Sequence, residues 1–94
     1  METTHVEGSD SRHDVFLFAL STCGWCARTR DFLEENKIDY DYIYVDLLTG
    51  EEREEALSEL EKWTPRRAFP TVVIDQDDVL VGLDKDKLRK SLDL

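Results

Sequence analysis

The chain reads as a single α/β domain: a four-stranded mixed sheet with three helices, in the order strand, helix, strand, helix, strand, strand, helix. Three observations predict this. The apolar run Val15–Leu20 is followed by helically spaced residues and then by a second β-branched and aromatic run, Tyr40–Asp46. Two later strands, Thr71–Asp75 and Val79–Val81, are separated only by the turn residues Gln76–Asp78. The length of 94 residues suits one modest core and leaves no room for a second domain.

Each element has a local reason. Residues 1–13, polar and mixed in charge, read as a flexible tail in which His5 and His13 are solvated; the domain proper is 14–94. Val15–Leu20 is apolar at every position, as in a strand covered on both faces. Cys26, Thr29, Phe32 and Leu33 then recur at helical spacing, with Arg28, Arg30, Glu34 and Glu35 turned outward and Asn36 as a left-handed terminator. Tyr40–Asp46 should pair parallel to the first strand, because a helix joins them. Thr49 and Glu52 have the spacing of a capping box, and Ala56, Leu57, Leu60 and Trp63 give the helix it opens an inner stripe. The Trp63–Pro70 loop is closed by two prolines. After the final hairpin, Gly82 breaks the pattern and Asp84 can cap a last helix that buries Leu88 and Leu92.

Charge narrows the function. Asp and Glu total 22 against 12 Lys and Arg, a net charge of −10. Such a surface repels phosphate, so nucleic acid is a poor partner, and basic docking faces are better ones. The acidic outer face of the second helix reads as solvated. No apolar run approaches the roughly 18 residues of a membrane span, and the first residues lack the basic-then-apolar pattern of a secretory signal. A soluble, cytoplasmic monomer is expected.

Cys23 and Cys26 frame the sequence Cys-Gly-Trp-Cys and are the only cysteines. In a reducing compartment such a pair is catalytic or metal-binding rather than a structural staple. Structural zinc typically needs four ligands, and the chain offers two cysteines plus two histidines in the tail, so no metal is expected. Two inert thiols are the remaining alternative. The placement favours redox chemistry. Cys23 follows the first strand where the first helix begins, and unpaired N–H groups with a partial positive charge there favour a thiolate. Cys26, one turn on, is close enough to resolve a mixed disulfide at Cys23.

Together, Phe18–Asn36, Phe69–Asp75 and Val81–Leu88 resemble the glutaredoxin-like members of the thioredoxin superfamily, and the resemblance covers residues 14–94. It implies a thioredoxin-like (glutaredoxin) fold and thiol–disulfide exchange through a reversible Cys23–Cys26 disulfide, with Cys23 attacking and no cofactor required. It also implies a cis peptide at Pro70, facing the reactive sulfur, with the backbone of Phe69 free to pair with an extended substrate. Substrate contacts then fall to Trp25, Phe69, Pro70, Thr71, Gly82 and Asp84. Disulfide-containing proteins are the expected partners.

The chain departs from the glutathione-using members. Leu20 stands where they usually have Lys. Ala68-Phe69-Pro70 replaces Thr-Val-Pro, and Val81-Gly82-Leu83-Asp84 keeps only part of their Gly-Gly loop. Arg66 and Arg67 are the cations able to compensate in part. The resemblance is therefore closest to glutaredoxin-like redoxins that work as thioredoxins, with electrons from a thioredoxin-type or ferredoxin-linked reductase rather than glutathione. Gly24, where many members have Pro, keeps a second reading open: an iron–sulfur cluster carrier using Cys23. A redox-sensitive binding module is a third. Asp14, Asp31 and Tyr44 are further candidates to influence the thiols.

Overall fold

The computed structural model describes residues 1–94 and has a sheet of five strands, not four. The strands are β1 (Thr4–Val6), β2 (Val15–Ala19), β3 (Tyr40–Tyr44), β4 (Thr71–Ile74) and β5 (Asp78–Val81). The helices are α1 (Gly24–Glu35), α2 (Gly50–Glu61) and α3 (Lys85–Ser91). The order across the sheet is β1-β3-β2-β4-β5. β2 and β3 are parallel, as strands joined through a helix must be; β4 runs antiparallel to β2, and β5 to β4.

The two-residue period of a strand divides the core between the sheet's faces. Val15, Leu17 and Ala19 of β2, with Val72 and Ile74 of β4, pack beneath α1 and α3 against Cys26, Leu33 and Leu88. Phe18, Ile43 and Val73 point the other way, against Ala56, Leu57 and Leu60 of α2. Leu92, just past α3, is fully buried. No helix is long and apolar enough to cross a membrane.

The fifth strand comes from the segment that reads as a flexible tail. β1 pairs antiparallel with β3, and Asp10 bridges to Ile38. His5 is exposed, as expected, but carboxylates hold both histidines, which corrects the expectation of a free tail. His5 Nδ1 lies 2.8 Å from Asp41 Oδ1, its register partner across the strands, and Nε2 lies 3.2 Å from Asp39. His13 is held between Asp75 at 2.7 Å and Asp93 at 2.9 Å. A three-residue strand has no periodicity to read, and the carboxylates that hold His5 and His13 lie 34 to 80 positions away in sequence (5 to 39, and 13 to 93).

Other boundaries also shift. Lys37, not Asn36, takes the left-handed conformation after α1, while the Asn36 amide donates to the Phe32 carbonyl. Thr49 caps α2 without a side-chain hydrogen bond, so the capping box is not made. β3 stops at Tyr44, and Val45–Leu47 form a single 3-10 turn. The hairpin turn begins at Asp75, which like Gln76 has positive φ. Arg30 does not turn outward. Its guanidinium donates to the Tyr40 and Tyr44 hydroxyls and stacks 4.1 Å from the Tyr42 ring centroid, tying α1 to β3.

Two tests follow. A Cβ at Gly8 would overlap the Ile38 carbonyl carbon and the Lys37 oxygen, so Gly8→Ala must displace the docked N-terminal segment. The expected loss is about 1–3 kcal/mol in a denaturant melt, with faster amide exchange in β1 and β3. An unchanged melt and exchange pattern would place the segment off the sheet. For His13, the hydrogen bond to Asp75 and then that to Asp93 hold the imidazole above its ordinary 6.5. The stability this contributes is complete below the ordinary value and is lost as pH rises through the raised one. The melting-temperature gap between wild type and His13→Gln should therefore be widest near about pH 6 and shrink by about pH 9. A gap independent of pH would contradict the charged clamp.

Candidate active site

β2 ends at Ala19, and a short turn delivers Cys23 to the start of α1. Cys23 is the N-cap, with extended backbone (φ −92°, ψ 116°), and its Sγ accepts the amide of Cys26 at 3.2 Å. The turn is pinned from outside α1. Asp46, in the 3-10 turn after β3, accepts the Ser21 amide at 2.8 Å and the Ser21 hydroxyl. These two donors hold the Asp46 carboxyl below its ordinary range. The Cys23 amide returns to the Leu20 carbonyl at 3.3 Å.

The two thiols differ sharply in environment. Cys23 is half-buried; Cys26 is fully buried in the core beneath α1 and α3. Burial, and then the hydrogen bond to Cys23, push the Cys26 thiol up to about 12, with a smaller push from the charge of Asp46. Cys26 is thus held protonated while Cys23 stands at the surface. Negative charge forming on Cys23 Sγ meets the Cys26 amide and the positive end of α1. That arrangement suits one attacking and one waiting sulfur.

Trp25, two residues past Cys23, forms one wall of a small groove of about 180 Å³ whose other lining residues are Phe69, Pro70, Gly82 and Leu83. The Phe69–Pro70 peptide is cis, as the resemblance implies. Gly82 has φ +79°, a conformation natural to glycine, and its amide donates to the Pro70 carbonyl at 2.8 Å. The backbone N–H and C=O of Phe69 have no intramolecular partner. An unpaired donor and acceptor at the mouth of a groove are free to bond an extended backbone.

Four of the expected contact residues, Trp25, Phe69, Pro70 and Gly82, therefore come together. Two do not line the groove. Thr71 is fully buried at the start of β4, its hydroxyl donating to the Ala68 carbonyl, and Asp84 caps α3 through the Lys87 amide. Of the residues suggested to influence the thiols, Asp14 lies at the opposite end of β2 beside Gln76, and Tyr44 is bonded to Arg30. Asp31 is exposed on α1.

Leu20 packs half-buried against the α2-side core, and Arg67 pairs with Glu61 at 3.3 Å. A Cβ at Gly24 would meet nothing, so the residue between the strand end and Trp25 is not confined to glycine by space. No three His, Cys, Asp or Glu side chains are grouped to hold a metal ion. Sequence reasoning missed Leu83 and Asp46. Leu83 gives no signal apart from its neighbour Gly82. Asp46 sits at the end of an apparent strand, and only the parallel pairing of β2 with β3 brings it to the Ser21 turn.

Comparison with known proteins agrees with this architecture. The structure superposes on the glutaredoxin of Methanosarcina mazei Go1 with a TM-score of 0.88 and 38% identity, covering 100% of this chain and 90% of that one. For the methanoredoxin of Methanosarcina acetivorans the TM-score is 0.85 with 31% identity, over 89% and 88% of the two chains. A glutaredoxin-like 8.6 kDa protein from the rubredoxin operon of Clostridium pasteurianum is 25% identical over 79 residues, covering 84% of this chain and 97% of that protein. The glutaredoxin family model matches residues 15–79, a stretch that takes in the cysteine pair, the cis proline and the strands that carry them. By that match and that fold, the chain belongs to the glutaredoxin family.

Proposed function

We propose that this protein reduces protein disulfides by dithiol exchange, with Cys23 as nucleophile and Cys26 as resolving thiol. The observation that carries the reading is the inequality of the pair: one sulfur half-exposed at a helix start, the other buried and held protonated. The Cys23 thiolate attacks one sulfur of the substrate disulfide, and the other leaves as a thiolate that takes up a proton. Cys26 then loses its proton and attacks Cys23 Sγ, releasing the second substrate sulfur as a thiol. The substrate gains two electrons and two protons, and the protein keeps a Cys23–Cys26 disulfide.

Substrate backbone bonds to Phe69 while an apolar side chain enters the groove between Trp25 and Leu83. Thr71 and Asp84 support this groove from behind, by anchoring the Ala68 carbonyl and the start of α3. The disulfide is reset by a thioredoxin-type or ferredoxin-linked reductase. Leu20, packed into the core, supplies no cation where glutathione-using members usually have Lys; of the two compensating candidates, Arg67 is paired with Glu61 and Arg66 is in no ion pair.

Three measurements test the reading. In the reduced protein one equivalent of iodoacetamide should modify Cys23 quickly, with Cys26 reacting only after unfolding; equal rates would remove the proposed asymmetry. Cys26→Ser should trap a substrate as a stable mixed disulfide on Cys23, and Cys23→Ser should trap none. Adducts of equal yield on both variants would reverse or abolish the roles. Finally, a thioredoxin-type reductase should turn the Cys23–Cys26 disulfide over faster than glutathione does, and rapid glutathione turnover would overturn the reading of Leu20.

A further inference from the structure

Trp25 is exposed to 58% although it forms one wall of the groove. An indole so exposed needs something to hold it. Arg28, one turn further along the same outward face of α1, places its guanidinium carbon 4.9 Å from the Trp25 ring centroid. Stacking uses the face of the guanidinium and leaves its edge N–H groups free.

Those N–H groups have no carboxylate. Of the 12 Lys and Arg, five (Arg12, Arg30, Lys62, Arg67 and Arg89) are in ion pairs and seven are not, and Arg28 is the one of those seven that lies over an aromatic ring. It makes no hydrogen bond, though it is exposed on a surface rich in acid. An unpaired guanidinium stacked on the indole that forms one wall of the groove is a ready receptor for a carboxylate, which it can bind through two parallel N–H donors.

We infer that Arg28 is a specificity residue that selects extended substrates carrying an Asp or Glu side chain next to the disulfide. The inference rests on the dithiol-exchange reading above and names the substrate class for that site. The overall charge of −10 opposes it at long range, since it repels any acidic partner; the preference is therefore local and contact-based.

The test uses single turnovers of pre-reduced protein, so no electron donor is needed. Two disulfide peptides, identical except for Glu or Gln beside one cysteine, are compared at about 0.15 M salt. Wild type should reduce the Glu peptide about threefold faster, as expected for an exposed charge pair. Arg28→Gln should lose the Glu-over-Gln preference or reverse it, whatever common rate it shows on the two peptides. Arg28→Lys, which keeps charge but not the planar fork, should keep only part of the preference. Arg53→Gln, which removes a remote charge on α2, should leave the preference intact. Equal wild-type rates on both peptides, or a preference that survives Arg28→Gln, would overturn the inference alone. If neither peptide is reduced, the dithiol-exchange reading falls, and this inference with it.

Discussion

β2 is packed on both faces, Val15, Leu17 and Ala19 against α1 and α3, Phe18 against α2, and the reactive end of the molecule hangs from it. A strand buried twice cannot slip by one residue without sending its whole set of side chains to the wrong face. Its last residue is therefore fixed in space, and with it the start of α1. Cys23 caps that start, Cys26 follows one turn later, and the buried position of Cys26 continues the packing below Ala19. The contrast between the two sulfurs is a consequence of core packing rather than a feature added to it.

Neighbouring strands complete the site without contributing reactive groups. β3 runs parallel to β2 and so ends beside the same turn, where Asp46 takes both donors of Ser21. β4 runs the other way, so it begins there, and Phe69–Pro70 arrives just before its first residue. β5 returns antiparallel to β4 and carries Gly82 back to the Pro70 carbonyl. The groove thus gathers residues from three separated stretches because one mixed sheet brings their ends to one edge.

Charge is distributed along the same division. The opposite end of β2 is held by His13 between Asp75 and Asp93, with Asp14 donating its amide to Asp75 and Arg12 reaching the Leu92 carbonyl. Carboxylates there are spent on internal partners. Near the cysteines the basic residues behave differently from one another. Arg30 is absorbed by three tyrosines of β3, whereas Arg28, two positions earlier, lies over Trp25 with its edge open.

The sequence by itself determined the strand and helix order from residue 14 onward, the parallel and antiparallel pairings, and the place of Cys23 and Cys26 at a strand-to-helix junction, while the cis peptide at Pro70 was implied by the family resemblance. The first three are written in local periodicity, turn chemistry and a motif, all within reach of a few residues. Tertiary structure decided the rest. Thr4–Val6 becomes a strand only because β3 offers an edge and His5 meets Asp41 there. Thr71 and Asp84 were drawn away from the groove, and Leu83 was brought into it, by pairing and capping that no local pattern encodes. Asp46 reaches Ser21, and Arg30 its tyrosines, because burial of apolar faces fixes the sheet first and polar side chains then bond to whatever that packing sets beside them.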